Sequence, residues 1–339
     1  MTTSTTETAQ TQKTQTPPAR NARTRRRLLD WRLALGVVVV LVLLGVSLSV
    51  GEYDILGTDD GWEMFAATRI PRTIALVLAG AAMAMSGLVM QLLTQNRFVE
   101  PTTTGTTEWA GLGLLAVTYF IPAASIMDRM LGAVVFAFIG TMVFFLFLRR
   151  VSLRSSLVVP IIGIMLGAVV SSVSTFFALQ TDMLQSLGVW FAGSFTDILR
   201  GQYEVLWVVV LVVVAIFLFA DRLTVAGLGE EIATNVGLNY HRLILIGTGL
   251  IAVATGVVTV VVGSLPFLGL IVPNIVSMFR GDDLRSNLPW VGLLGVGIVT
   301  VCDLIGRTII SPFEIPVSVI LGIIGAAVFI TLIVRQRHG

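Results

Sequence analysis

Residues 227–242 read GLGEEIATNVGLNYHR and separate two long apolar runs of the chain. The apolar residues of this segment recur at helical spacing and would share one face of a short helix: Ile232, Ala233 and Val236. Glu230 and Glu231 come at its start, where the helix dipole favours negative charge, and Gly237 can close it with a left-handed cap. The pattern predicts a short amphipathic helix that either binds a partner protein or merely joins two spans.

The composition of the whole chain is that of a membrane protein. Its 339 residues are 55% hydrophobic and 12% charged, and the mean hydropathy is +0.91. Soluble domains carry roughly 25% charged residues. The small net charge of +2 comes from basic residues that are nearly all arginine.

Apolar runs long enough to cross a bilayer, which takes roughly 20 helical residues, recur through the chain. They lie near residues 33–50, 70–93, 104–121, 130–148, 157–180, 203–220, 242–263, 289–306 and 316–334. A shorter run at 267–279 contains Pro273 and predicts a tight re-entry or a broken helix. The pattern predicts an all-α polytopic protein with ten crossings, or nine if the short run does not cross.

The placement of arginine predicts the orientation, because basic residues translocate poorly and collect in cytoplasmic loops. With ten spans and the N-terminus inside, only five of the 22 Lys and Arg residues lie on the outer side: Arg69, Arg72, Arg129, Arg200 and Arg307. Both termini are therefore predicted to be cytoplasmic.

The first 30 residues differ from the rest of the chain. They are rich in Thr, Gln, Pro and Arg, a composition that buries too little apolar surface to order a chain. Residues 1–30 are predicted to be a disordered, basic cytoplasmic tail, and residues 31–337 the membrane domain. No Ala-x-Ala site follows the first apolar run, so it is interpreted as a retained span and not as a cleaved signal peptide.

Several kinds of chemistry are excluded by residue usage. Lys13 is the only lysine and has no glycine near it, so the chain lacks a phosphate-binding G-x-x-x-x-G-K-[ST] loop. Cys302 is the only cysteine, and His241 and His338 lie far apart, so no metal site and no nucleophile–base pair is predicted. The chain is expected to be no enzyme, to hold no cofactor and to bind no nucleic acid.

Three ordered blocks resemble the FecCD-type permeases, which import iron–siderophore complexes, haem or cobalamin as parts of ABC transporters. The first is residues 69–113, RIPRTIALVLAGAAMAMSGLVMQLLTQNRFVEPTTTGTTEWAGLG. The second is residues 230–239, which resemble the family's ATPase-coupling segment. The third is residues 263–337, with FLGLIVPNIV, DLIGRT around Asp303 and PFEIP around Glu314.

The resemblance implies the fold and partners of a type II ABC importer permease. These are about ten helices, a second identical or related permease, two cytoplasmic ATPases that carry ATP and Mg²⁺, and an extracytoplasmic binding protein that delivers the substrate. A ferric siderophore is the ligand it implies first, with haem or cobalamin as alternatives. The protein would lie in the cytoplasmic membrane.

The resemblance also implies roles for individual residues. The coupling segment, 227–242, would bind the ATPase through Glu230, Glu231, Ile232, Ala233, Val236 and Gly237. Arginines at the positions of Arg69, Arg72 and Arg307 would meet glutamates of the binding protein. Arg307 also follows Asp303 by four residues, so on a helix the two can form a structural ion pair instead.

Two other classes of function stay open. A secondary transporter or channel would work without ATP and would carry buried coupling carboxylates, and the predicted spans show few charges. An intramembrane enzyme would need a nucleophile and a base within hydrogen-bond reach. The sequence favours the ABC importer permease over both.

Overall fold

The computed structural model describes residues 31–51, 60–150, 157–281 and 283–336, without the side chains of residues 332, 333, 335 and 336. The predicted tail, residues 1–30, lies outside the described residues, as do residues 52–59, which follow the first span. The division into a tail and a membrane domain therefore stays a prediction.

The described residues form helices joined by short loops. They are α1 (Trp31–Ser49), α2 (Gly61–Met64), α3 (Ile70–Leu93), α4 (Thr106–Phe120), α5 (Ile126–Leu148), α6 (Val158–Gln180), α7 (Leu184–Phe191), α8 (Val208–Ala226), α9 (Glu230–Asn235), α10 (Tyr240–Val261), α11 (Leu268–Arg280), α12 (Leu284–Thr308) and α13 (Val317–Gln336). A π-helical turn, Phe65–Arg69, leads into α3, and a 3₁₀ turn, Glu204–Trp207, leads into α8.

Within this described part, ten helices have 13 residues or more, and each corresponds to one predicted apolar run. Seven segments are long and apolar enough to cross a membrane, and α11 and α13 appear as shorter apolar helices. The all-α fold with about ten membrane helices is confirmed.

The helices differ in how much of their surface packs inside the molecule. α3, α10 and α12 form the centre, with 67%, 61% and 56% of their most apolar windows buried. α1 has 11% buried and α6 has 28%, so both lie at the periphery of this single chain. Small residues let the central helices approach closely, as is common in membrane bundles. A Cβ on Gly87 of α3 would lie 2.1 Å from the carbonyl oxygen of Gly269, so only glycine fits there.

The run at 267–279 forms a short helix that begins just after a tight turn. α11 has 13 residues, about 20 Å of rise, against a hydrocarbon core of about 30 Å. Pro273 lies inside it without ending it, so the alternative of a helix broken at this proline is wrong. Proline removes the N–H that would bind the carbonyl of Gly269. The side chain of Gln91 donates to that carbonyl at 3.2 Å and so replaces the missing bond.

Candidate functional site

The 227–242 segment contains a six-residue helix with a defined start and end. α9 begins at Glu230, after Gly229 with a φ of 109°. At its other end Gly237 has a φ of 85°, and the N–H groups of Gly237 and Leu238 donate to the carbonyls of Thr234 and Ala233. This is the Schellman arrangement, which satisfies carbonyls left free at a helix end. The short helix and its glycine cap follow the sequence pattern.

The apolar face of α9 is partly packed against the rest of the chain and partly exposed. Ile232 and Val236 are 46% and 66% exposed, although both are large and apolar. Ala233 is fully buried against the rest of the chain. The prediction that Ala233 contacts a partner is therefore corrected: its side chain anchors the helix, whereas Ile232 and Val236 present an apolar surface. Glu230 and Glu231 are exposed beside them.

The segment lies against the end of α3. A Cβ on Gly227 would lie 2.9 Å from the side chain of Leu92, and one on Gly229 would lie 3.1 Å from the amide nitrogen of Gln95. Beside these contacts, α9 and the ends of α3 and α5 line a groove of about 560 Å³. The 227–242 segment thus contacts the last turn of α3 and Gln95, which follows α3.

At the opposite end of the bundle, four charged side chains form what we call the charge cluster: Arg72, Asp303, Arg307 and Glu314. Nη2 of Arg72 lies 2.7 Å from Oδ1 of Asp303 and 2.8 Å from Oε2 of Glu314. Nη2 of Arg307 lies 2.9 Å from Oδ2 of Asp303. The side chain of Asp303 is fully buried, and the two guanidinium groups offset the cost of burying its charge.

Arg307 and Arg69 also bind the end of α1. Nη1 of Arg307 donates to the carbonyls of Ser47 and Val50 at 3.2 and 3.0 Å, and Nη1 of Arg69 donates to that of Leu48 at 3.0 Å. The last carbonyls of a helix have no partner within it and carry partial negative charge. Two arginines therefore cap α1 and fasten this peripheral helix to the central ones.

These internal contacts bear on the predicted docking role. The side chains of Arg72 and Arg307 are 13% and 6% exposed, so a carboxylate of another protein would reach them only by displacing internal partners. Glu314 is the more open member of the cluster, at 27%. Docking by Arg69, Arg72 and Arg307 remains a prediction. The ion pair between Asp303 and Arg307, which their spacing in the sequence predicts, is present in the charge cluster.

Hydrogen bonds tune the acidity of Glu314. Burial alone would raise the pKa of this carboxyl, but bonds from Arg72 and from the hydroxyl of Thr196 outweigh it and hold the pKa below its usual value. The Thr196 hydroxyl donates at 2.6 Å. Sequence reasoning placed Glu314 in a family block without a role, because its partners lie more than a hundred residues away.

A second acidic residue was missed altogether. Glu100 lies in the loop between α3 and α4 and is fully buried, although a proline and three threonines, typical of a surface loop, follow it. Glu108 of α4 also has a buried oxygen without a hydrogen-bond partner. The expectation that the predicted spans carry few charges stands, but Glu100, in a loop outside the spans, is a buried carboxylate that the apolar runs do not indicate.

Comparison with known proteins agrees with this architecture. The model of the FecCD transport family matches residues 32–335. The petrobactin import system permease protein FatD of Bacillus anthracis is 64% identical over 303 residues, which cover 89% of this chain and 91% of that protein. The petrobactin import system permease protein YclN of Bacillus subtilis is 39% identical over 88% of this chain and 97% of its own length.

One solved structure shows the same fold. It is an inward-facing conformation of a metal-chelate type ABC transporter, with a TM-score of 0.77 at 24% identity, and the match covers 90% of this chain and 99% of that one. Sequence and fold thus agree over nearly the whole membrane domain, and the chain belongs to the FecCD transport family.

Proposed function

We propose that this chain is the membrane-spanning permease subunit of an ABC importer for a ferric siderophore, and that petrobactin is its substrate. The observation that carries the proposal is the 64% identity, over 89% of the chain, to a petrobactin import permease. A second relative with the same stated substrate is 39% identical. Haem and cobalamin are weaker alternatives within the family.

In this proposal the 227–242 segment receives the motion of a partner ATPase. Ile232 and Val236 are large, apolar and exposed on a helix that is anchored beneath by Ala233, as expected for a protein contact. Two ATPase subunits would supply ATP and Mg²⁺, and a second permease, identical or related, would complete the pathway. This chain itself would carry out no reaction.

The charge cluster then lies on the outer side of the cytoplasmic membrane, and both termini lie inside. The distribution of arginine supports this orientation. An extracytoplasmic binding protein would deliver the siderophore to that outer side. Because Arg72 and Arg307 are held by internal partners, we expect them to shape the docking surface and to contact the binding protein only at its edge.

A secondary transporter remains the alternative class, and buried Glu100 and partly buried Glu108 are the features that favour it. Proton-coupled transporters use buried carboxylates as relays. Glu100, however, accepts a backbone N–H of Phe267 at 2.6 Å, so its charge already has a local structural partner.

Reconstitution separates the two classes. The complex, purified in mild detergent with its partner subunits and placed in proteoliposomes, should import ferric petrobactin only with ATP and loaded binding protein. A proton gradient alone should drive no import. Import driven by the gradient without ATP would refute the ABC proposal, and competition by cobalamin but not by petrobactin would refute the substrate.

A further inference from the structure

Glu100 connects two segments that are distant in sequence. Its side chain is fully buried. Oε1 accepts the backbone N–H of Phe267 at 2.6 Å and the hydroxyl of Thr102. Phe267 is the residue immediately before α11. The loop between α3 and α4, residues 94–105, is thereby joined to the start of α11.

The chemistry at this point fits a helix cap supplied from elsewhere in the chain. The first N–H groups of a helix lack partners within it, and the helix dipole favours an anion there. Ser, Thr, Asp or Asn at the cap position usually supplies the acceptor, but α11 begins after a phenylalanine. Phe267 also has a φ of 62°, a conformation rare for a bulky residue, which persists only where surrounding contacts fix it.

Two further bonds fasten the same segments. The side-chain amide of Asn274 donates to the carbonyl of Arg97 at 2.8 Å, and that of Gln91 donates to the carbonyl of Gly269 at 3.2 Å. The end of α3, the following loop and the first two turns of α11 are therefore joined at three places, and a displacement of one moves the others.

The other end of the loop touches the 227–242 segment. Gln95, which lies 3.1 Å from the position of a Cβ on Gly229, follows α3 in a left-handed conformation with a φ of 51°. The N–H groups of Gln95 and Asn96 donate to the carbonyls of Leu92 and Gln91. This is again a Schellman cap, which fixes the direction in which the chain leaves α3.

Beyond α11, the contacts continue into α13. The ring of Phe329 lies 5.7 Å from that of Phe98 in the loop and 6.4 Å from that of Phe267, measured between centroids. A Cβ on Gly325 would lie 2.4 Å from the side chain of Phe267, so α13 packs directly on the residue that Glu100 holds. The contacts run without a gap from the 227–242 segment to α13.

We propose that Glu100 is a positioning residue that fixes the start of α11 to residues 94–105, so that movement of the 227–242 segment reaches α11 and α13 through this loop. The proposal rests on the proposed function, because it assigns the loop to the transmission of ATPase motion. It predicts that loss of the contact uncouples ATP hydrolysis from import and does not simply unfold the permease.

The test compares three variants in the complete reconstituted importer. Glu100→Ala removes the acceptor for the Phe267 N–H, and we expect import to fall about tenfold or more while ATP hydrolysis stays within about twofold of the original. Glu100→Gln keeps an acceptor oxygen and should retain most of the import. Thr102→Val is the matched control, because it removes the other partner of the same oxygen and leaves the Phe267 contact in place.

A second measurement detects the cap itself, with no substrate present. Hydrogen exchange of peptides that cover residues 265–272 should be faster in Glu100→Ala than in the original or in Thr102→Val. Unchanged exchange would overturn the cap, and faster exchange with a normal ratio of import to ATP hydrolysis would overturn the transmission. A fall of import and hydrolysis in equal proportion would also count against it.

A substitute variant and the exchange measurement keep the role of Glu100 testable if assembly or import fails. If Glu100→Ala does not assemble, Glu100→Asp takes its place, because the shorter side chain withdraws the carboxylate from Phe267, and the same results are expected. If the unmodified importer moves no siderophore, the proposed function fails, whereas the exchange measurement still decides whether Glu100 caps α11.

Discussion

A single buried carboxylate, Asp303, holds two arginines that arrive from different helices. Arg72 belongs to α3 and Arg307 to α12, so the shared carboxylate fixes these helices to each other. Arg72 also binds Glu314 with two nitrogens, at 3.0 and 2.8 Å. Such paired geometry is specific to arginine, since lysine offers no planar fork.

The first prediction follows from the sharing of Asp303. Asp303→Asn should lower the free energy of unfolding by about 3 kcal/mol, because it leaves two guanidinium groups buried beside a neutral side chain. Asp221→Asn is the matched control, since Asp221 pairs with Arg285 on the surface, where both side chains are more than half exposed. That change should cost less than about 1 kcal/mol. Equilibrium unfolding in mixed micelles measures both, and equal costs would contradict the role given to the cluster.

The second prediction concerns pH and Glu314. Its pKa is lower in the folded protein than in the unfolded chain, so its contribution to stability is present above the unfolded pKa and is lost as the pH falls through the folded one. The melting temperature of the unmodified protein should exceed that of Glu314→Gln at pH 7. The difference should shrink as the pH falls below about 4.3, the ordinary pKa of glutamate. A difference that does not change with pH would exclude this carboxylate as its source.

At the scale of elements, α9 is too short to be stable alone. Isolated helices of fewer than about 12 residues are marginal in water, and α9 has six. The glycines at its two ends and the burial of Ala233 stabilise the helix in place of the hydrogen bonds that a longer helix would have. The exposed Ile232 and Val236 therefore stand on a helix whose orientation is fixed before any partner binds.

The third prediction tests this exposed pair. Replacing Ile232 and Val236 together by aspartate should abolish import and weaken ATPase association, because two charges would enter a desolvated contact. Thr234→Asp with Asn235→Asp is the control, since it adds the same charge to exposed polar residues of the same helix. Co-purification with the ATPase and uptake assays give the result. Normal import by the Ile232 and Val236 variant, with the ATPase still bound, would reduce the segment to a connector.

The elements differ in how far the sequence alone could predict them. The spans, the α9 helix and its Gly237 cap follow from local patterns of apolar residues and glycine. The burial of Glu100 does not, because its partner Phe267 lies 167 residues away in the chain and the intervening contacts are tertiary. For the same reason the family resemblance gave Arg69 and Arg307 a docking role only, whereas their contacts with the end of α1 emerge when the helices pack.

At the scale of the whole molecule, polar contacts gather at two levels. The charge cluster fastens α1, α3 and α12 at one end, and the contacts of residues 91–100 with α11 lie toward the other. Between them, α3 and α12 meet through small residues, as at Gly80 and Gly295. The movement proposed for the 227–242 segment would therefore enter the bundle at the end away from the charge cluster.

The last prediction is the orientation on which this division of roles depends. With Cys302 replaced by serine, single cysteines at positions 283 and 128 should react with impermeant thiol reagents from opposite sides of the membrane. Asp283 precedes α12 at the end that carries α9, and Asp128 lies in the first turn of α5 at the other end. Labelling of position 283 only from the cytoplasm and of position 128 only from outside would place α9 within reach of an ATPase, as the basic residues at that end predict.

Right-side-out cells and inverted vesicles give access to the two sides of the membrane, and a cytoplasmic protein that stays unlabelled in the cells shows that their membrane is intact. Labelling of position 283 from outside and of position 128 from the cytoplasm would invert the molecule, and the 227–242 segment would then lose its proposed partner. Labelling of both positions from outside would remove α11 as a crossing, because an odd number of crossings would then precede position 283.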